Sequence, residues 1–302
     1  MAVTPESDTT RGVFLTRVLA NDPICRDHRR CVLEVGDFPP AAPGQFVQIL
    51  CRDPGGEGGT STTFLRRPFS IAGCRRRSRR CEIDILYRVT GGGTHWLAQL
   101  EPGDPVSILG PLGRPFPVFD DRPLALLVGG GIGLPPLIWL AQSLRDAGKR
   151  TVAFCGARTA DLLPLTPCSD VAITGDEPAL AFREFADFAT PVVVATDDGS
   201  LGAAGTIAAA FVRYLDPHPH ATRSAVVYTC GPVPMMRVIA DACEARSIRC
   251  QVCLERMMAC GMGTCQSCVV RIRGERAEDP WRYRLCCTDG PVFDSRLVIW
   301  EE

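Results

Sequence analysis

The change of rhythm near residue 120 constrains the fold more than any other feature of the chain. Before it, short apolar and β-branched runs at 13–18, 31–35, 46–51, 68–72, 83–89 and 106–109 predict strands. Pro39-Pro40, Pro43-Gly44 and Pro102-Gly103 punctuate them, and one short helix is expected over 94–100. Closely spaced strands with a single helix predict a small antiparallel barrel. Residues 118–122 read as a linker. After it, strands at 124–128, 151–155, 192–196, 225–230 and 250–254 alternate with helical patterns at 134–147, 203–215 and 233–246. That alternation predicts a parallel sheet covered by helices. A cysteine-rich unit follows from Glu255. The expected architecture is therefore multi-domain, β plus α/β, with units at 1–120, 121–254 and 255–302.

Composition removes several classes of function. The 302 residues carry 33 Lys and Arg against 34 Asp and Glu, a net charge of −1, so no global basic field attracts nucleic acid. Lys149 is the only lysine, which leaves little scope for Schiff-base chemistry. The uncharged stretch 123–144 is long enough to span a bilayer, but its prolines and Gly129-Gly130-Gly131 predict a strand, a turn and a buried helix instead. Residues 1–10 are polar and lack the basic and apolar regions of a secretion signal. A cytoplasmic chain with reduced thiols is expected, with no membrane contact. Its 16 cysteines then bind metal, react or pack.

Three motifs carry chemistry. The first is Cys260-Gly-Met-Gly-Thr-Cys265-Gln-Ser-Cys268, followed by Cys286 and Cys287. C-x4-C-x2-C is the spacing of a plant-type [2Fe–2S] loop with a distant fourth thiolate. Gly261 and Gly263 would permit positive φ and let backbone N–H groups face the sulfurs. Spacing alone leaves Cys286 and Cys287 open as the fourth ligand. A zinc site usually pairs two C-x2-C units, and only one is present. The second motif is an apolar strand running into Gly129, Gly130, Gly131 and Gly133 and then a helix. Such a turn offers backbone amides to a dinucleotide phosphate, or simply packs helix on strand. Cys230-Gly231-Pro232 ends a later strand, where ligands sit in open α/β sheets; Cys230 lines that crevice or fills core. The third lies in the barrel: Arg67-Pro68-Phe69-Ser70, Leu86-Tyr87-Arg88 and Gly91-Gly92-Gly93-Thr94. Here an Arg fork suits a pyrophosphate, Ser70 a heterocycle edge, and the glycine turn an anion. Residues 53–63 and 75–80 read as inserted loops, the second a basic, solvated hairpin tip. His218-Pro-His220 reads as a polar loop rather than a metal site.

Together these motifs resemble the ferredoxin–NADP reductase superfamily, in which a barrel holds FAD and the next domain, Rossmann-like, holds NAD(P). The run from Glu255 through Cys268, then Cys287-Thr-Asp-Gly-Pro-Val-Phe, and Thr196-Asp-Asp-Gly-Ser-Leu-Gly are similar to the electron-transfer subunits of type B dihydroorotate dehydrogenases. The resemblance implies FAD contacts at Arg67, Pro68, Phe69, Ser70, Leu86, Tyr87, Arg88, Gly93 and Thr94. It implies cluster ligation by Cys260, Cys265, Cys268 and Cys287, the last because the family's fourth ligand stands just before Asp-Gly-Pro. NAD and NADP both stay open: the resemblance implies NAD, while Arg158 follows a strand at the place where an Arg meets a 2′-phosphate.

The three units fit one mechanism. A nicotinamide exchanges two electrons and a [2Fe–2S] cluster one, so FAD must stand between them. The resemblance implies a partner subunit, an FMN-containing dihydroorotate dehydrogenase, joined in a heterotetramer. Electrons would pass from dihydroorotate through the partner to NAD⁺, in pyrimidine biosynthesis. Met257, Met258 and Met262 are expected at the docking face or packed within the cluster unit. Two alternatives stand beside this: a reductase component serving a ferredoxin, hydrogenase or oxygenase, and a non-redox zinc-binding scaffold.

Overall fold

The computed structural model describes residues 11–52, 63–169, 171–173, 175, 177–218, 224–274 and 279–300. The expectations for residues 1–10, for most of the 53–63 loop and for His220 lie outside the described residues.

The N-terminal unit is an antiparallel sheet of seven strands: β1 (Gly12–Cys25), β2 (His28–Gly36), β3 (Phe46–Ile49), β4 (Arg67–Ser70), β5 (Gly73–Arg77), β6 (Arg80–Arg88) and β7 (Pro105–Leu112). Their order is β4-β3-β7-β1-β2-β6-β5. Alternation does the building: Val47 and Ile49 of β3, with Ile83 and Ile85 of β6, fill the barrel and are fully buried. Helix α1 (Gly92–Ala98) begins two residues before its expected start. The 75–80 segment is the exposed hairpin tip expected. β5 runs to Arg77 and β6 begins at Arg80, because Arg75 pairs with Glu82 and Asp84 across the hairpin.

The second sheet holds β8 (Leu124–Gly130), β9 (Arg150–Ala157), β10 (Val192–Thr196), β11 (Ala203–Ala204), β12 (Ala225–Cys230) and β13 (Arg249–Cys253), all parallel. Helices α2 (Leu134–Asp146), α3 (Arg183–Ala186), α4 (Ile207–Leu215) and α5 (Val233–Ala245) connect and cover it. Helix α2 starts cleanly because Pro135 and Pro136 sit in its first turn, where missing N–H groups cost nothing. The helix expected over 203–215 begins later, at Ile207. Ala203 and Ala204 first pair with Ala195 and Thr196, and Thr206 then caps α4 by accepting from the Ala209 N–H at 3.3 Å. No helix among the described residues is long and apolar enough to cross a membrane.

Strand β8 has β9 on one side and β12 on the other. The chain therefore reverses its direction of winding between β8 and β12, and a crevice opens at the carboxyl ends there. In register at that edge are Gly129 with Cys230 and Cys230 with Cys253.

Residues 113–123 join the two units but are packed rather than loose. Phe116 and Phe119 are buried, and the Tyr228 hydroxyl donates to Pro117 O at 2.7 Å. Lys149 donates to the carbonyls of Phe119 and Asp120 at 2.9 and 3.0 Å, so the single lysine ties this segment to the end of α2. The cysteine-rich tail forms a hairpin of β14 (Val269–Arg273) and β15 (Trp281–Leu285). Its chain then returns: β16 (Val292–Asp294) pairs antiparallel with β13, so the tail adds an edge strand to the parallel sheet instead of standing apart.

Candidate functional site

Three cavities meet where the barrel faces the parallel sheet. One of about 400 Å³ lies between β4 and the start of α1, bordered by Thr63, Arg67, Thr90 and Gly91 to Thr94. Pro68, Phe69 and Thr90 also border a second, of about 650 Å³, which runs on past Ser70 to Phe46, Cys230 and Cys253. Together they form one elongated trough with a cation at one end and an apolar wall at the other. A pyrophosphate-bearing ligand with a flat ring fits that distribution of charge.

Most barrel residues singled out in the sequence border this trough: Arg67, Pro68, Phe69, Ser70, Leu86, Tyr87, Arg88, Gly93 and Thr94. Two of them offer less than their chemistry suggests. The Tyr87 hydroxyl donates to Asn21 Oδ1 at 2.9 Å, away from the trough, and burial pushes its pKa up to about 12. The Thr94 hydroxyl accepts from the N–H groups of Thr90 and Gly91 at 2.9 and 3.0 Å and so holds the turn itself. Arg67 is exposed, whereas its neighbour Arg66 is committed to Ser107.

A third cavity, of about 720 Å³, occupies the crevice at the carboxyl ends of β8, β9 and β12. Gly130, Gly131, Gly133, Gly231 and Pro232 border it, with Arg158 and Asp197 at the ends of the next strands. Gly129 is different. A β-carbon there would lie 2.5 Å from Leu134 Cδ2, so this glycine seats α2 on β8 and borders none of the cavities. Cys230 is buried, as a core residue would be, and it borders the trough rather than the crevice.

Sequence reading overlooked the wall between trough and crevice. Arg88, Ile132 and Glu255 border both. Glu255 reaches solvent within the cleft, yet protein crowds it, and that desolvation raises its carboxyl above the ordinary Glu value. Its signal was available: it lies two residues past the end of β13, at the edge where ligands sit.

Beyond Glu255 the chain forms the cysteine loop. Gly261 and Gly263 have φ of +71° and +90°, which an L side chain resists. That curl aims backbone N–H groups at sulfur. Met262 N and Cys265 N donate to Cys260 Sγ at 3.3 and 3.4 Å, and Gly263 N–H reaches Cys287. The thiols fall into two pairs, Cys260 with Cys265 and Cys268 with Cys287. Hydrogen bonds from the Ser267 hydroxyl and backbone, then from Cys260, bring the Cys265 thiol down to about 6. Burial first, then the bond with Cys268, pushes Cys287 up to about 12. Among the described residues no three His, Cys, Asp or Glu side chains gather as one metal ion requires. Backbone N–H groups aimed at Cys260 and Cys287 suit thiolates that carry a [2Fe–2S] cluster.

Cys286 is separated from this set. It is fully buried, and its thiol donates to Leu254 O at 3.2 Å. Cys287 bonds with Cys268 instead, so of the two it is Cys287 that faces the loop. Around the loop, Met257 and Met262 are exposed, while Met258 packs against the core. His218 stacks on Tyr214 at 4.5 Å.

Comparison with known proteins agrees with this geometry. Residues 255–299 match the family model for the iron–sulfur cluster binding domain of dihydroorotate dehydrogenase B. The chain is 36% identical over 261 residues to the dihydroorotate dehydrogenase B (NAD(+)) electron transfer subunit of Geobacillus kaustophilus, covering 85% of this chain and 86% of that protein. It is 31% identical over 290 residues to the subunit of the same name from Caldanaerobacter subterraneus, covering 96% of this chain and all of that protein. Among solved structures, the NADH-dependent reduced ferredoxin–NADP oxidoreductase is similar with a TM-score of 0.74 and 26% identity, covering 94% of this chain and 90% of that one.

Proposed function

Because this chain belongs to the family of electron transfer subunits of NAD⁺-linked dihydroorotate dehydrogenase B, we propose that it joins a dihydroorotate-oxidising partner to NAD⁺ through the trough, the crevice and the cysteine loop. The single observation that carries the assignment of sites is the shared wall. Arg88, Ile132 and Glu255 border both cavities, so ligands in the two can meet edge to edge, and Met257 and Met258 of the cluster arm border the trough as well.

When bound, FAD supplies the conversion between the two-electron chemistry of NAD⁺ and the one-electron chemistry of a [2Fe–2S] cluster. The chain's own residues bind and orient. Arg67, with the Gly91–Thr94 turn, holds the pyrophosphate of FAD. Ser70 presents its hydroxyl to the ring edge, while Phe46, Leu86 and Cys230 close the apolar wall and exclude water. The crevice holds NAD⁺ at Gly130, Gly131, Gly133, Gly231 and Pro232. Cys260, Cys265, Cys268 and Cys287 would hold the [2Fe–2S] cluster. Glu255 keeps a carboxyl at the junction, where its raised proton affinity suits proton exchange with a bound ring.

The partner carries FMN and the dihydroorotate site, and two copies of each subunit form a heterotetramer. Electron transfer requires close approach, so the partner docks on the face bearing exposed Met257 and Met262. The units 1–120, 121–254 and 255–302 correspond to FAD, NAD and cluster. The complex works in the cytoplasm; none of the 16 cysteines is joined in a disulfide, as suits a reducing compartment.

Mixing the chain with its catalytic partner tests this. Dihydroorotate should reduce NAD⁺ only when both subunits are present, followed as NADH absorbance. Turnover that fails with the partner but runs between NADH and a ferredoxin would favour the reductase alternative.

A further inference from the structure

Gln48 lies in β3, on the barrel side of the cysteine loop. Along this strand Val47 and Ile49 turn into the barrel, so Phe46 and Gln48 turn outward. Phe46 belongs to the same packed cluster as Cys268 and Cys287 and also borders the trough. Gln48 is fully buried, yet neither Nε2 nor Oε1 has a hydrogen-bond partner among the described residues. A buried carboxamide with both ends unpaired is costly and rare in folded proteins. Its position accounts for it. A β-carbon at Gly261 would lie 2.8 Å from both Cγ and Nε2 of Gln48, so the loop rests directly on this amide beside Cys260. The Cys260 sulfur already collects the N–H groups of Met262 and Cys265.

We infer that Gln48 donates its side-chain N–H to a sulfur of the cluster that the loop beside Gly261 holds, so that a residue of the barrel sets the reduction potential of that cluster. This rests on the reading of the loop as the [2Fe–2S] site. A hydrogen bond to a cluster sulfur stabilises the form with more negative charge, which is the reduced one. The same short strand thus contributes Phe46 to the trough and Gln48 to the cluster. Gln48 is a positioning residue, and its side chain occupies the space a β-carbon at residue 261 would take.

The test is an electron paramagnetic resonance titration of the cofactor-loaded chain, wild type against Gln48→Leu, with iron and FAD content measured on the same samples. Leu keeps most of the volume and removes the donor. The variant should keep its FAD, and its cluster midpoint should fall by a factor of three to ten in the reduction equilibrium, about 30–60 mV for one electron. A wild-type midpoint in a fully loaded Gln48→Leu chain overturns the inference. Should that variant lose its cluster, Gln48→Met decides, because it keeps the length of the side chain with neither donor nor charge. A lowered midpoint, or loss of the cluster with FAD retained, supports the inference; a wild-type midpoint overturns it. Joint loss of FAD and cluster from both variants would show a packing role and also overturn it. A wild-type chain with no [2Fe–2S] signal would instead overturn the reading of the loop, which keeps the two failures distinct.

Discussion

The cysteine loop and the glycine turn after β8 are both runs of small residues just past a strand, but Gly263 in one and Gly133 in the other serve different ends. In the loop, Gly261 and Gly263 adopt φ of +71° and +90°, and that curvature points N–H groups at sulfur. In the turn, Gly133 has an ordinary helical φ of −76°; what it supplies is space. A β-carbon there would lie 2.2 Å from Cys230 O, backbone that cannot move aside. Glycine in one region therefore shapes a ligand site, and in the other it lets α2 close onto β12. Substitutions in the loop should strike the cofactor, and those in the turn should strike the fold.

The largest effect should come from the adjacent cysteines. Cys287→Ser should abolish the cluster, whereas Cys286→Ser should keep it, because the Cys286 thiol is turned to Leu254 O. Iron content and the paramagnetic signal of both variants decide this; equal loss would show the pairing of Cys268 with Cys287 to be wrong. Next, Gly133→Ala should destabilise by about 3 kcal/mol, the upper end for an overpacked core. Gly131→Ala, with φ +53° but open space, should cost only about 1–2 kcal/mol. Thermal unfolding of the two should separate space from dihedral strain; equal losses would erase the distinction.

Arg67→Ala carries the comparison into the barrel. Arg67 is exposed and makes no ion pair among the described residues, so folding should hardly change. FAD affinity should fall by about tenfold to a hundredfold, the worth of a charge-assisted phosphate contact at about 1.5–3 kcal/mol. Full FAD occupancy after extensive dialysis would count against the role. Glu255→Gln should give the smallest effect. Crowding raises the folded-state pKa of Glu255, so the folded chain binds its proton more tightly than the unfolded chain. This favours folding below the ordinary Glu value near 4.5 and is lost as pH rises through the raised value. The stability of wild type relative to Gln should therefore decline as pH rises above that point. Its access to solvent keeps the slope shallow, and urea titrations at several pH values measure it. A flat difference would remove Glu255 from the junction's proton chemistry.

Much of this was legible in the chain because it rests on local rules. The short apolar runs between Pro and Gly turns before residue 120, the strand–helix alternation after residue 123 and the C-x4-C-x2-C spacing each follow from geometry within a few residues. The Arg67–Ser70 strand and the Gly91–Thr94 turn were legible for the same reason, although they face one another only across the folded barrel. Tertiary structure decided whatever depends on which residues meet. It turned Cys286 to Leu254 and Cys287 to Cys268, gave Gly129 to helix packing, and carried residues 292–294 back to the edge of β13. It also built the wall of Arg88, Ile132 and Glu255 from three separate segments, and laid Gln48 under Gly261. Such contacts join residues far apart in sequence, and no local period or spacing encodes them. They exist only once two layers have packed and each side chain has been assigned a face.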